Sequence, residues 1–333
     1  MAGVITGWGA ALPDAVVTNA DLERRLDTSD AWIVERSGIR ERRIGGTVAG
    51  LSIEAGRAAL TRAGVAPHDI DLLILATTTP DEAVPATSAT VHAALGLSGG
   101  ATDLNAACAG FVYALVLAYG ALAVGARRAL VVGADVLSRI TDPDDRGTAV
   151  LFADGAGAVV VERATPVAGD EGGDGLAAFD LGVDGSAHDL LVCPHGGTIA
   201  MEGKEVFRRA VRITVDSAAT ALKQAGCTAD DVALFVPHQA NLRIIEAAAS
   251  RLGIPMERAA IVLDRTGNTS SASIPLALAE AADQGRLRRG DVVLLSGFGA
   301  GMTWASAVLR WSAGGPGAAP DAGRAGAGGR VPA

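Results

Sequence analysis

Residues 69–76 (DIDLLILA) and 229–236 (ADDVALFV) show one pattern at an offset of 160 positions, and each follows a helix-like stretch ending in Ala-Gly. An acidic lead followed by an apolar run is the signature of a buried strand entered from the surface. At the same offset Cys108 falls on Asn268, and each precedes a long helical stretch and a further apolar run. Residue identity between the two parts is low, so the repetition is one of architecture, and a chance match of two ordinary βα units is the alternative. A true duplication sets two similar halves about a pseudo-twofold axis, where equivalent loops converge on one central site. Cys108, His238 and Asn268 then meet despite their separation along the chain.

Other short apolar runs bounded by Gly, Asp or Pro predict strands at 72–76, 129–133, 156–161, 232–236, 292–296 and 303–309, with a strand-like start at 4–8. Ala- and Leu-rich stretches of helical spacing lie at 52–63, 86–95, 110–124, 206–225 and 274–284. Strands alternating with helices imply an α/β fold whose sheets are covered on both faces. The halves are expected at 1–165, carrying the cysteine, and 166–312, carrying the histidine and asparagine. Residues 313–333 are almost all Gly, Ala and Pro, which bury too little apolar surface to offset ordering entropy, and are expected to be a disordered tail.

With 49% hydrophobic and 20% charged residues, the 333-residue chain reads as globular. A net charge of −9 with no long basic stripe disfavours nucleic-acid binding. The N-terminus shows no signal-peptide pattern and no apolar run reaches membrane-span length. Cys108, Cys193 and Cys227 are odd in number and widely spaced, which argues for a reducing compartment, the cytoplasm. Cys193, His195 and His188 lack a third ligand at metal spacing, so no metal site is expected.

Three segments carry chemistry. Asp103-Leu104-Asn105-Ala106-Ala107-Cys108-Ala109-Gly110-Phe111 puts a cysteine among small residues where a strand gives way to a helix. The helix N-terminus favours negative charge, so the thiol is expected to be partly thiolate at neutral pH; taken alone, a packed structural cysteine explains it as well. Val236-Pro237-His238-Gln239-Ala240-Asn241 sets His238 at a strand's carboxyl end, where α/β sheets expose reactive groups or a structural donor. Thr266-Gly267-Asn268-Thr269-Ser270-Ser271-Ala272-Ser273-Ile274-Pro275 reads either as a helix cap with Pro in the first turn or as a site loop. The glycine-rich runs at 154–157 and 297–301 match no phosphate loop and mark tight backbone packing; the second could also aim an amide at a substrate carbonyl.

These motifs, with Pro237-His238-Gln239-Ala240-Asn241-Leu242-Arg243 and the N-terminal Thr28-Ser29-Asp30-Ala31-Trp32-Ile33-Val34-Glu35-Arg36-Ser37-Gly38-Ile39, occur in an order that resembles β-ketoacyl-acyl carrier protein synthase III over about residues 1–311. The resemblance implies a thiolase-like five-layered αβαβα fold of two similar halves and a homodimer. It implies decarboxylative Claisen condensation of an acyl-CoA primer with malonyl-acyl carrier protein, initiating fatty acid synthesis, with acyl-CoA a substrate and no cofactor. Cys108 becomes acylated; the amides of Cys108 and Ala300 hold the oxyanion; His238 and Asn268 donate to the malonyl thioester carbonyl as carbon dioxide leaves.

By the same resemblance Trp32 and Arg146 sandwich the adenine of coenzyme A, and Arg36 and Asn241 contact coenzyme A or its pantetheine arm. Arg208 and Arg243 meet the acidic carrier protein, with Arg209 and Arg212 extending that surface, though such arginines can equally be a solvated helix face. Val84 stands where relatives place a residue that limits acyl length across the dimer; a valine there leaves room for longer or branched primers. Lys204 departs from the asparagine of some members. Competing expectations are an acyltransferase or polyketide-priming relative using the same cysteine, and a non-catalytic chain-length-factor-like subunit, which the presence of Cys108 disfavours. A plain thiolase would need a second cysteine near 297–301, and none is there.

Overall fold

The computed structural model describes residues 3–164 and 175–312; the tail expected to be disordered lies outside the described residues. Strand β1 (Gly3–Ala11) is followed by a ladder of β2 (Val16–Thr18) and β3 (Glu41–Arg43), which brackets α1 (Asn19–Glu23) and α2 (Asp30–Ser37). Then come α3 (Val48–Ala63), β4 (Leu72–Ala76), α4 (Thr87–Leu95), β5 (Gly100–Leu104), α5 (Gly110–Ala123), β6 (Arg128–Val136), the single turn α6 (Arg146–Ala149) and β7 (Asp154–Arg163). The remainder runs through β8 (Gly175–Val183), two-residue strands β9 (Leu191–Val192) and β10 (Ala200–Met201), α7 (Gly203–Gln224), β11 (Val232–Pro237) and α8 (Leu242–Leu252). It ends with α9 (Leu263–Thr266), α10 (Ser273–Asp283), β12 (Val292–Gly299) and β13 (Thr303–Arg310).

All the expected strands and helices are present. Helix α3 starts four residues before the apolar spacing suggests, because Thr47 caps it by accepting the Gly50 amide at 3.0 Å. Strand β8 escaped the sequence reading: its Gly, Asp and half-exposed Phe179 do not form an apolar run.

Two sheets form the frame, ordered β1-β7-β6-β4-β5 and β11-β12-β13-β8. In both, the strands nearest the site are parallel (β4 with β6, β11 with β12) and the next pairs are antiparallel. Successive side chains of a strand point to opposite faces, so each sheet must bury both. Ile74, Val131, Val236 and Val293 face an inner core shared with α5 and α10. Leu73, Leu75, Leu130 and Val132 face an outer core with α3 and α4, whereas Phe235, Leu294 and Val308 face one with α7 and α8. Nine of the eleven residues of α10 are buried, as a helix between two sheets requires. The layers are therefore αβαβα, and the strands β4 and β11, offset by 160 positions in sequence, hold equivalent places beside β6 and β12.

Candidate active site

Cys108 sits in a single 3₁₀ turn, Ala107–Ala109, between β5 and the start of α5. Ala107, just before it, has φ of 47°, a left-handed conformation that a residue with a Cβ holds only at some energetic cost. The Asn105 side chain holds that turn by accepting the Ala107 amide at 3.1 Å. From the other half, Gly299 comes so close that a Cβ on it would lie 2.5 Å from the Cys108 amide nitrogen. Only glycine allows that approach, and it brings the Gly299–Ala300 backbone beside the Cys108 amide.

The thiol corrects one expectation. It is not a thiolate at neutral pH: burial pushes it up to about 12, the buried Asp135 carboxylate adds to this, and the Ser270 hydroxyl works against it. The residue keeps a partly open face toward a cavity, which moderates the burial but not its direction.

His238 follows β11. Its amide donates to the Ser296 carbonyl at 2.8 Å, its ring meets Phe298 edge-on with centroids 5.4 Å apart, and its Nδ1 lies 2.7 Å from Ser273 Oγ. Burial pulls its pKa down to about 3, so the imidazole is neutral. A Ser273 hydroxyl that donates to Nδ1 leaves the proton on Nε2, the nitrogen free to act as a donor. The neighbouring Gln239 is wholly buried; its amide donates to the Pro237 and Ala260 carbonyls and accepts from the Val262 amide, tying the histidine's strand to the segment that leads into α9.

Asn268 lies two residues beyond α9. Its backbone pairs with the 151–153 segment, donating to the Leu151 carbonyl and accepting from the Ala153 amide, each at 2.9 Å. Its Oδ1 accepts the Ser270 amide at 3.0 Å, which fixes the orientation of the side chain and leaves Nδ2 as the group that can donate to a substrate.

Cys108, His238 and Asn268 line one cavity of about 80 Å³, walled by Phe152, Leu191, Met201, Val206, Phe207 and Ile244. That is well under the ~300 Å³ at which pockets begin to enclose drug-sized ligands, so it admits a slender chain. Wider concavities of about 420 and 580 Å³ beside α10 and on α3 are open surface grooves containing none of the three. Among the described residues no group of three or more His, Cys, Asp or Glu is placed to hold a metal ion, and no helix is long and apolar enough to cross a membrane.

The outer residues divide. Asn241 lines the cavity mouth, caps α8 by accepting the Arg243 amide, and donates to the Arg36 carbonyl at 2.8 Å. The Arg36 and Arg146 guanidinium carbons lie 4.6 and 4.9 Å from the Trp32 ring centroid. An adenine between Trp32 and Arg146 needs about 7 Å, two van der Waals separations, so the expected sandwich is closed here and Arg146 must swing out to admit a ring. The exposed Arg146 is held by the Asp27 carbonyl at 2.7 Å. On α7, Lys204, Arg208 and Arg212 are exposed at four-residue spacing, with the exposed Arg243 nearby over Phe207. Arg209, less exposed, turns aside to bond Glu205 and Asp184, and Arg208 also pairs with Glu205. Val84 is 85% exposed and lies outside the cavity of its own chain.

Sequence reasoning missed Ser273, Gln239 and Asp135. Ser273 was hidden among the loop's small polar residues, whereas Asp135, a lone carboxylate in the apolar run of β6, was a visible signal.

Residues 102–185 match the family 3-oxoacyl-[acyl-carrier-protein (ACP)] synthase III, and residues 222–311 match the C-terminal family of the same enzyme. A β-ketoacyl-acyl-carrier-protein synthase III of Roseiflexus castenholzii is 51% identical over 93% of this chain and 98% of that protein. The crystal structure of 3-oxoacyl-acyl-carrier-protein synthase III from Aquifex aeolicus superposes with a TM-score of 0.89 at 42% identity, covering 93% of this chain and all of that one. A priming β-ketosynthase of a polyketide pathway is 37% identical with a TM-score of 0.87, over 93% and 96% of the two chains.

Proposed function

The chain belongs to the 3-oxoacyl-acyl-carrier-protein synthase III family, and on that premise we propose that Cys108, His238 and Asn268 carry out its condensation of an acyl-CoA with malonyl-acyl carrier protein. The observation that carries the assignment is the convergence of these three residues, from segments far apart in sequence, on one narrow cavity.

In the first stage Cys108 sulfur attacks the acyl-CoA thioester and the amides of Cys108 and Ala300 receive the oxyanion. The close approach at Gly299 supports that pairing. The thiol starts protonated, so its proton leaves as the carbon–sulfur bond forms and ends on the departing coenzyme A thiol. The Ser270 hydroxyl and the helix start stabilise the sulfur's transient charge.

In the second stage His238 Nε2 and Asn268 Nδ2 donate to the malonyl thioester carbonyl. As carbon dioxide leaves, the electron pair collects on that carbonyl as an enolate, then attacks the acyl-cysteine. The new carbon–carbon bond forms, the Cys108 carbon–sulfur bond breaks, and sulfur takes up a proton. A neutral imidazole suits this role, since it donates without bringing a buried charge.

Acyl-CoA is a substrate in this scheme, and no cofactor takes part. Trp32, Arg36, Arg146 and Asn241 receive coenzyme A at the cavity mouth, and Lys204, Arg208, Arg212 and Arg243 receive the acidic carrier protein. The boundary expected between the two halves, 165/166, lies outside the described residues, between β7 and β8. The enzyme is cytoplasmic, where its three free cysteines stay reduced. It is a homodimer: β5 ends its sheet with exposed residues, and pairing two copies there would cover that edge and the half-exposed Leu117. Val84 of one copy then reaches the acyl end of the other's cavity, where its small side chain leaves room for longer or branched primers.

The test is turnover of acetyl-, isobutyryl- and octanoyl-CoA with malonyl-acyl carrier protein, followed by mass spectrometry. We expect ketoacyl product from all three; a strong acetyl preference removes the role given to Val84, and no ketoacyl product from any removes the function.

A further inference from the structure

We propose that Asp135 is a positioning residue for decarboxylation: its carboxylate fastens the loop carrying Asn268 to the end of β4 in the opposite sheet, and so sets where the Asn268 amide points. The inference rests on the assignment of Asn268 above and names a residue outside that trio.

Asp135 is wholly buried near the end of β6. A buried carboxylate is costly unless its oxygens are hydrogen-bonded, and this one is saturated. Oδ1 accepts from the Thr77 hydroxyl at 3.2 Å, the Thr78 amide at 2.7 Å, the Thr78 hydroxyl at 2.8 Å and the Thr79 hydroxyl at 3.0 Å. These donors sit just beyond β4. Oδ2 faces the other way and accepts the Ser271 amide at 3.0 Å and the Ser271 hydroxyl at 2.6 Å. The same hydroxyl lies 2.9 Å from the Ala76 carbonyl, the last of β4. Gly133, two residues earlier on β6, lets the loop lie flat: a Cβ there would stand 2.3 Å from the Ser271 carbonyl oxygen.

From Ser271 the constraint passes to the reacting group in one step. The preceding amide, that of Ser270, is the one that Asn268 Oδ1 accepts, and Ser270 holds a left-handed φ of 50° in doing so. Asn268 Nδ2 therefore has its direction set by Ser270, which Ser271 and Asp135 hold in place. Neither Ser271 nor Asp135 lines the cavity, so neither is expected to touch substrate. Cys108 has holds of its own in Asn105 and Gly299, but it also feels this loop: burial apart, the Ser270 hydroxyl lowers its thiol pKa and the Asp135 carboxylate raises it. Removing the carboxylate charge therefore eases acylation, whereas loosening the loop misplaces the Asn268 amide, so acylation and decarboxylation should respond differently.

Asp135→Asn keeps the shape but turns one acceptor into an N–H donor facing other donors. Cys108 acylation by acyl-CoA, followed by intact mass, should hold or rise, falling by no more than about threefold, because a charge that raises the thiol is gone, while kcat for ketoacyl formation falls about 100-fold, the cost of a misplacement on the order of 1 Å. Ser271→Ala removes only the loop-side hydroxyl and should show the same split at about tenfold, so the inference stays readable even when Asp135→Asn yields no folded protein. Loss of both steps together in the folded variants, or condensation at the unsubstituted rate in both, overturns it. Failure of the parent assignment shows elsewhere, as an unsubstituted protein that makes no ketoacyl product.

Discussion

At the scale of single residues, the site works with neutral groups. Burial raises the Cys108 thiol and lowers the His238 imidazole, so the resting pair is thiol and neutral ring rather than thiolate and imidazolium. The consequence is measurable with iodoacetamide, which reacts with the thiolate. Alkylation of Cys108 should climb steadily between about pH 7 and pH 10 with no plateau, because the thiolate fraction is still rising there. A plateau setting in below about pH 8 would mean an ion pair and contradict the reading. The residue type and its place before a helix were legible in the sequence; its protonation was not, because that depends on how much core closes over the sulfur, which only the fold decides.

At the scale of elements, the inner strands and their helices were legible because both faces of those strands are buried and their apolar runs are unbroken, whereas β8, partly exposed, was not. The element ends that build the site were less so. Gly299, at the end of β12, was read as tight packing or an amide aimed at substrate; the structure shows which amide it packs against. Gly299→Ala should slow Cys108 acylation about 100-fold, since a Cβ forces the two backbones apart where the oxyanion is held. Unchanged acylation kinetics in a folded Gly299→Ala protein would remove the Ala300 amide from the mechanism. The serines before α10 read as a helix cap or a site loop and the threonines after β4 carried no signal, and only the fold brings them together on Asp135. The closed stack of Arg36, Trp32 and Arg146 was equally invisible, because spacing along the chain says nothing about whether two planar groups already touch.

At the scale of the molecule, the offset of 160 positions foretold two matching sheets, since each half repeats a strand, a crossover and a buried central helix. It could not show that, among the described residues, the second sheet has no counterpart of β5, which stands as an additional strand at the edge of the first. If two copies join there, Leu117→Glu should convert a dimer into a monomer in light scattering behind size exclusion, because a charge would be buried against its symmetry mate. A monomer in the unsubstituted protein would contradict the arrangement. The central claim, that one cavity divides its work between a nucleophile and a pair of donors, is tested most directly by intact-mass labelling with acyl-CoA followed by addition of malonyl-acyl carrier protein. Cys108→Ala should take no acyl group, whereas His238→Ala and Asn268→Ala should take it and then fail to release ketoacyl product. Acylation and product formation by Cys108→Ala, or full product formation by both donor variants, would contradict it.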